Sequence, residues 1–263
     1  MTSAAKLVSS AAAVALAVAA QPVAGQSIAE RVAAVEDGKV RFSYAARPDV
    51  CGNGRNHISF GEGRITWRGH SDDWESDCEH GPVRLVLRVR RGEVRDIDTY
   101  VGGRWRESSS AIDIGTVPAS AAVDYLISVA EHSEGDVAED AIFPLVLADG
   151  VTVWPDLLRL ARDNSLRRDT RKTAVFWLGQ AAGEAATAGL DSIVEEPSAD
   201  REVRESAIFA LSQRPHDEGV PALIRIARTN PDFGLRKKAL FWLGQSGDPR
   251  AIDLFEELLL TNQ

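Results

Sequence analysis

Cysteine is scarce in this chain: 263 residues hold two, Cys51 and Cys78, and residues 117–263 hold none. There is no Cys-x-x-Cys pair and no His-x3-His pair, only Cys78-Glu79-His80, so the spacings of the common zinc sites are missing. Nothing like the Gly-x-Ser-x-Gly elbow of a serine hydrolase occurs either. Basic residues are in the minority, 30 against 39 acidic, for a net charge of −9. A phosphate backbone would be repelled, which argues against a nucleic-acid partner. The uncharged run at residues 7–20 is shorter than the roughly 18 to 20 residues that span a bilayer, so a permanent anchor is not expected.

That run follows Lys6, consists almost wholly of Ala, Val and Leu, and leads into Gln21-Pro-Val-Ala-Gly25. This is the layout of a secretory signal peptide over residues 1–25, with cleavage after Ala20 or Gly25 both fitting. The expectation is an exported protein, periplasmic or extracellular.

The remaining sequence divides in two. Residues 26–116 carry 15 acidic and 14 basic side chains, whereas residues 117–263 carry 24 and 15. Residues 27–37 read as a short amphipathic helix closed by Gly38. Period-two alternation then predicts strands over residues 39–44, 83–89 and 94–101, the last two joined as a hairpin through residues 90–93. Residues 48–82 are rich in Gly, Asn, Asp and His and hold both cysteines. So long a segment needs a tether. In an exported chain a Cys51–Cys78 disulfide is the economical one. A metal site remains an alternative, because His57, His70, Asp72, Asp73 and His80 crowd the same stretch. Trp67, Trp74 and Trp105 are either core residues of this β-rich module or stacking platforms for a sugar.

From residue 117 onward one helix recurs. Asp140-Ala-Ile-Phe-Pro-Leu-Val-Leu147, Thr173-Ala-Val-Phe-Trp-Leu-Gly-Gln180, Ser206-Ala-Ile-Phe-Ala-Leu-Ser-Gln213 and Lys238-Ala-Leu-Phe-Trp-Leu-Gly-Gln245 align without gaps. Ala141, Ala174, Ala207 and Ala239 are spaced 33, 33 and 32 residues apart. A period of this size marks a stacked array whose units cover one another's apolar faces. Each copy follows another helical stretch, at residues 121–131, 155–162, 190–196 and 221–228, with Pro155 and Pro221 read as first-turn prolines. Four helix pairs and a closing helix at residues 252–260 result. The predicted fold class is α+β: an α-solenoid over residues 117–263 preceded by a small disulfide-linked β-rich module.

The repeats Thr170-Arg171-Lys-Thr-Ala174 with Leu178-Gly179, Val203-Arg204-Glu-Ser-Ala207 with Leu211, and Leu235-Arg236-Lys-Lys-Ala239 with Leu243-Gly244 resemble the HEAT-repeat family, in particular its short bacterial PBS-lyase-like form. The resemblance covers about residues 119–263. It implies that Arg171, Arg204 and Arg236 pair with neighbouring acidic or backbone groups along the stack, while Ala174, Ala207 and Ala239 belong to the repeat frame. The first unit departs from the pattern, with Ala138 in place of the arginine and a kinking Pro144, which suits a cap against the β module. Some relatives act on bilins attached to cysteines. Export, and the lack of cysteine in the helical region, argue against that activity here.

At about 100° per residue, Ala174, Val175, Trp177 and Leu178 share one arc of the second helix, with Phe176 and Gln180 outside it. The same holds for Phe209 with Gln213 and Phe241 with Gln245. These six side chains either form a Phe and Gln ladder that grips a peptide, or the rings fill seams between units. Trp177 and Trp242 sit at equivalent positions two units apart. Arg167-Arg168 and Lys237-Lys238 are basic clusters free to attract an acidic partner locally. The expectation is a non-catalytic scaffold for a protein or peptide partner, needing no cofactor or metal. The alternative is an envelope enzyme, or a sugar- or metal-binding protein, with its site in residues 48–82.

Overall fold

The computed structural model describes residues 26–55, 57–60, 65–68, 78–104, 110–181 and 184–261. The expected signal segment, residues 1–25, lies outside the described residues. The chain begins with helix α1 (Ile28–Ala33), capped by Ser27. The Ser27 hydroxyl accepts from the Glu30 amide at 3.2 Å and the Glu30 carboxylate accepts from the Ser27 amide at 2.8 Å. The helix is shorter than expected. The carbonyls of Val35 and Glu36 are taken by the Gly92 and Arg91 amides of the hairpin turn, at 2.8 and 2.6 Å, so Asp37 and Gly38 already belong to a strand.

That strand, β1 (Asp37–Tyr44), lies inside a four-stranded sheet in the order β6-β5-β1-β7. Strands β5 (Val83–Arg90) and β6 (Glu93–Val101) form the expected hairpin. Its two turn residues, Arg91 and Gly92, both have positive φ, 55° and 75°, a backbone whose twist matches that of the flanking strands. Alternate residues point into the core: Val40, Phe42 and Tyr44 from β1, and Val83, Leu85, Leu87 and Val89 from β5. Strand β7 (Ala111–Thr116) runs parallel to β1 along the edge. None of its residues is fully buried, so it gives no clear alternation in the sequence and was not expected there. The Arg41 to Asp113 ion pair, at 2.9 Å, fixes it from the side.

A second sheet joins β2 (Cys51–Gly52), β3 (His57–Phe60) and β4 (Ile65–Arg68), all antiparallel. Gly52 also pairs with Glu79 through two backbone bonds, at 3.0 and 2.9 Å. This places Cys51 beside Cys78, and the two form a disulfide with Cα atoms 5.2 Å apart. Gly102 crosses the same spot at φ 67°. A Cβ there would lie 2.5 Å from the Gly52 carbonyl oxygen, so only glycine lets the strands converge.

The helical stack opens with α2 (Ala119–His132), then α3 (Asp136–Asp140) and α4 (Ile142–Leu145) where one helix was expected with a kink. Pro144 has no amide to donate and the helix breaks at Ala141. The helix pairs are α5 (Trp154–Arg162) with α6 (Arg168–Gln180), α7 (Glu184–Val194) with α8 (Arg201–Ser212), and α9 (His216–Thr229) with α10 (Phe233–Ser246). Helix α11 (Pro249–Thr261) closes the stack on α9 and α10. Three expected starts are corrected, the closing helix α11 beginning at Pro249 rather than at residue 252. Helix α7 begins at Glu184 rather than near residue 190, and α9 begins at His216, which puts Pro221 inside the helix. Pro221 is exposed. It removes one donor near the N-terminal end, a loss a fourteen-residue helix survives.

The second helices stack directly on one another. A Cβ on Gly179 would lie 2.8 Å from the Ala210 Cβ, so glycine sets the approach of α6 to α8. Gly244, its counterpart on α10, is exposed, and a Cβ there would meet Phe255 of α11 at an ordinary 3.9 Å.

Sheet and helices share one continuous core, from Ile28 to Leu254. The broken first unit is where they join. The Tyr44 hydroxyl, fully buried, donates to the Pro144 carbonyl at 2.8 Å. The Arg47 amide donates to Leu147 O at 2.9 Å, and the Asp149 amide to Ala45 O at 3.0 Å. The β module thus supplies partners to backbone groups that an unbroken helix would have paired itself.

Candidate functional site

Phe176, Phe209 and Phe241 emerge on α6, α8 and α10 and are exposed by 38%, 37% and 56%. Gln180, Gln213 and Gln245 lie one turn further along, half-buried in the first and exposed in the others. The rings also touch the tryptophans beneath them. Phe176 meets Trp177 edge-on at 4.9 Å, and both Phe209 and Phe241 lie 5.0 Å from Trp242. Phe209 therefore reaches across the seam between α8 and α10 while leaving part of its ring in solvent.

The first unit behaves differently. Phe143 occupies the same repeat position but is 8% exposed. It stacks on Trp177 at 5.1 Å, under Phe60 of β3 at 6.0 Å, and Phe60 also reaches Trp177 at 5.7 Å. The β module covers the first rung of the ladder.

At this junction lies a cleft of about 420 Å³, with Phe143, Trp177, Ile58 and Ile97 forming apolar walls beside Tyr100 and Thr173. Among the described residues, Asp98 from β6 and Glu139 and Asp140 from α3 supply three carboxylates and Arg55 a guanidinium. Withdrawal from water and the neighbouring Asp96, Asp136, Glu139 and Asp98 charges push Asp140 up to about 6. Burial, with Asp96 next to it, raises Asp98. Burial, with Asp169 and Asp136 nearby, raises Glu139. The sequence places these residues some forty positions apart, so only the packing of β6 on α3 assembles the cleft.

The repeated arginines point the other way, into loops. Arg171 is buried, pairing with Asp200 and donating to Asn164 Oδ1 at 2.9 Å. Arg204 Nε donates to Val194 O at 2.8 Å, and Arg236 Nη1 to Asn230 O at 2.7 Å. Ala174, Ala207 and Ala239 are fully buried. Sequence reasoning missed Arg214. It is buried, pairs with Glu218 at 2.6 Å, donates to Thr187 Oγ1 at 2.8 Å and also reaches the Gly179 and Ala181 carbonyls. The Thr187 and Arg214 hydrogen bonds lower the Glu218 carboxyl below its ordinary value. Its only signal was an arginine standing outside the repeat motif, just after Leu211-Ser-Gln213.

In the β module the disulfide occupies both cysteines, so neither is available to a metal. Among the described residues no group of three His, Cys, Asp or Glu is arranged to hold an ion. His80 Nδ1 lies 3.0 Å from the Val50 carbonyl oxygen. His70, Asp72, Asp73, Trp74 and Trp105 lie outside the described residues, as does the Trp67 side chain. Among the described residues no helix is long and apolar enough to cross a membrane.

No curated protein matches this chain. Residues 188–263, comprising most of α7 and all of α8 to α11, match the family model described as HEAT repeats. Over that segment the helical stack is similar to HEAT repeats.

Proposed function

We propose that this protein is an exported, non-catalytic scaffold that binds a protein or peptide partner along the Phe and Gln ladder of its helical stack. HEAT repeats generally mediate protein–protein interaction. The observation that carries the reading is the exposure of Phe176, Phe209 and Phe241 at one repeat position. Large apolar rings repeated on one face are the anchors an interface uses. Export rests on the N-terminal segment together with the Cys51–Cys78 disulfide, a bond that persists in oxidising compartments.

The test is capture from cell-envelope extract with the wild-type chain and a Phe176→Glu, Phe241→Glu variant, both checked for folding by circular dichroism. The captured protein is then identified and its affinity measured with purified components. Retention by the wild type and loss in the folded variant is the expected result. Equal retention by both would remove the ladder from the binding surface.

A further inference from the structure

The ladder does not end at Phe176. Trp177 presses one face on Phe143 and meets the edge of Phe176, and it also lines the junction cleft with Thr173 from the same helix. Trp177 is itself buried, 3% exposed, and it ties the partly exposed Phe176 ring to the wall of a cleft of about 420 Å³. The character of the track changes there. The ladder rungs alternate with neutral glutamines, whereas among the described residues the cleft is lined by Asp98, Glu139 and Asp140 together with Arg55.

We propose that the cleft is the terminal pocket of the binding track and receives a cationic side chain, an arginine or lysine, at one end of an otherwise apolar partner segment. The inference rests on the ladder reading and gives it a direction. An apolar segment on a row of rings has no fixed sense or register. A charge that fits only at the β-module end supplies both. Aromatic walls with carboxylates at the rim suit such a group, because the stem packs on the rings while the head meets the charges. The spacing is attainable. Helices packed about 10 Å apart place three rungs and the cleft within reach of about ten extended residues at about 3.3 Å each.

The surrounding charges set how the cleft responds to pH. Asp140 faces Asp96 and Asp98 on β6 and shares α3 with Asp136 and Glu139. Arg88 and Lys39 act on Asp98, and Arg167, Asp169 and Thr173 on Glu139. Acidification protonates the cleft carboxyls and removes the attraction for a cation. A bound cation in turn favours their ionised forms, so binding releases protons.

Two labelled peptides of about ten residues test this, identical and rich in Leu and Phe, one ending in Arg and the other in citrulline, its neutral isostere. Fluorescence anisotropy at about pH 7.5 is expected to give about tenfold tighter binding for the Arg peptide. The gap should close in an Asp98→Asn, Asp140→Asn variant, and in the wild type below about pH 5. Removing like charges leaves that variant at least as stable as the wild type, so misfolding does not obscure the result. A Phe209→Ser, Phe241→Ser variant should weaken both peptides by one factor and preserve their ratio. Equal affinities of the two peptides, with both weakened by the ladder variant, would overturn the cleft and leave the ladder standing. A preserved ratio with no effect of the ladder variant would keep the cleft and remove the ladder. Binding of neither peptide would overturn both.

Discussion

Phe143 and Phe241 occupy the same position of the same repeat, yet one is 8% exposed and the other 56%. At the first end of the stack, α3 and α4 are broken and fastened to the β module through Tyr44, Arg47 and Phe60. At the far end, α10 keeps its regular form and packs on α8, α9 and the closing α11. The comparison separates two uses of one motif. The repeat builds a helix that always offers a phenylalanine; the neighbour decides whether that ring becomes core or surface. The closed end gains stability from the ring, and the open rungs are left available for contact.

Truncating the two rings should break the symmetry of the motif most sharply. Phe143→Ala is expected to cost about 3 to 5 kcal/mol, and Phe241→Ala less than about 0.5 kcal/mol, read as shifts in urea midpoint at constant slope. Similar losses from both would show the open rung to be core. In the middle of the stack a buried polar network adds to the apolar core, and Arg214→Met leaves Glu218 without its cation and two carbonyls without a donor. A loss of about 3 kcal/mol is expected, seen as earlier unfolding by helical ellipticity; a neutral result would mean that solvent replaces the network. At the junction, Tyr44→Phe removes only the hydroxyl bound to Pro144 O, for about 1 kcal/mol, with hydrogen exchange accelerated at Leu147 and Asp149 rather than in α10. Uniform acceleration would mean that the two ends open together.

The smallest effect concerns the cleft. The Asp140 carboxyl has a folded value of about 6, above its ordinary 3.8. Stability is therefore greatest with the group protonated and declines as pH rises from about 4 to 6. Asp140→Asn removes that decline. It should raise stability slightly at neutral pH, by less than about 1 kcal/mol in this partly solvated site, read as a small rise in melting temperature, and change nothing below about pH 3.5. A loss of stability at neutral pH would show that the ionised carboxylate is held by a favourable contact.

Much of this was legible before any coordinates. The spacing of Ala141, Ala174, Ala207 and Ala239, the hairpin over residues 83–101, the disturbance of the first unit by Pro144, expected as a kink and found as a break at Ala141, and the pairing of Cys51 with Cys78 follow from local pattern and chain economy. Strand β7 was missed because an edge strand with no buried face carries no alternation. Helix α9 was started late because a proline near a helix start and one just inside it look alike in sequence. Arg214 escaped because its partners, Thr187, Gly179 and Ala181, lie more than twenty-five residues away.

The sequence by itself determined the repeat, the order of the two modules and the identity of every rung, because periodicity and turn chemistry act over a few residues. Tertiary structure alone decided which rungs stay open, that Tyr44 and Phe60 seal the first unit, and that Asp98 meets Glu139 and Asp140 around one cleft. Burial and electrostatic coupling depend on what lies across the interface, and no local pattern encodes a neighbour forty residues away.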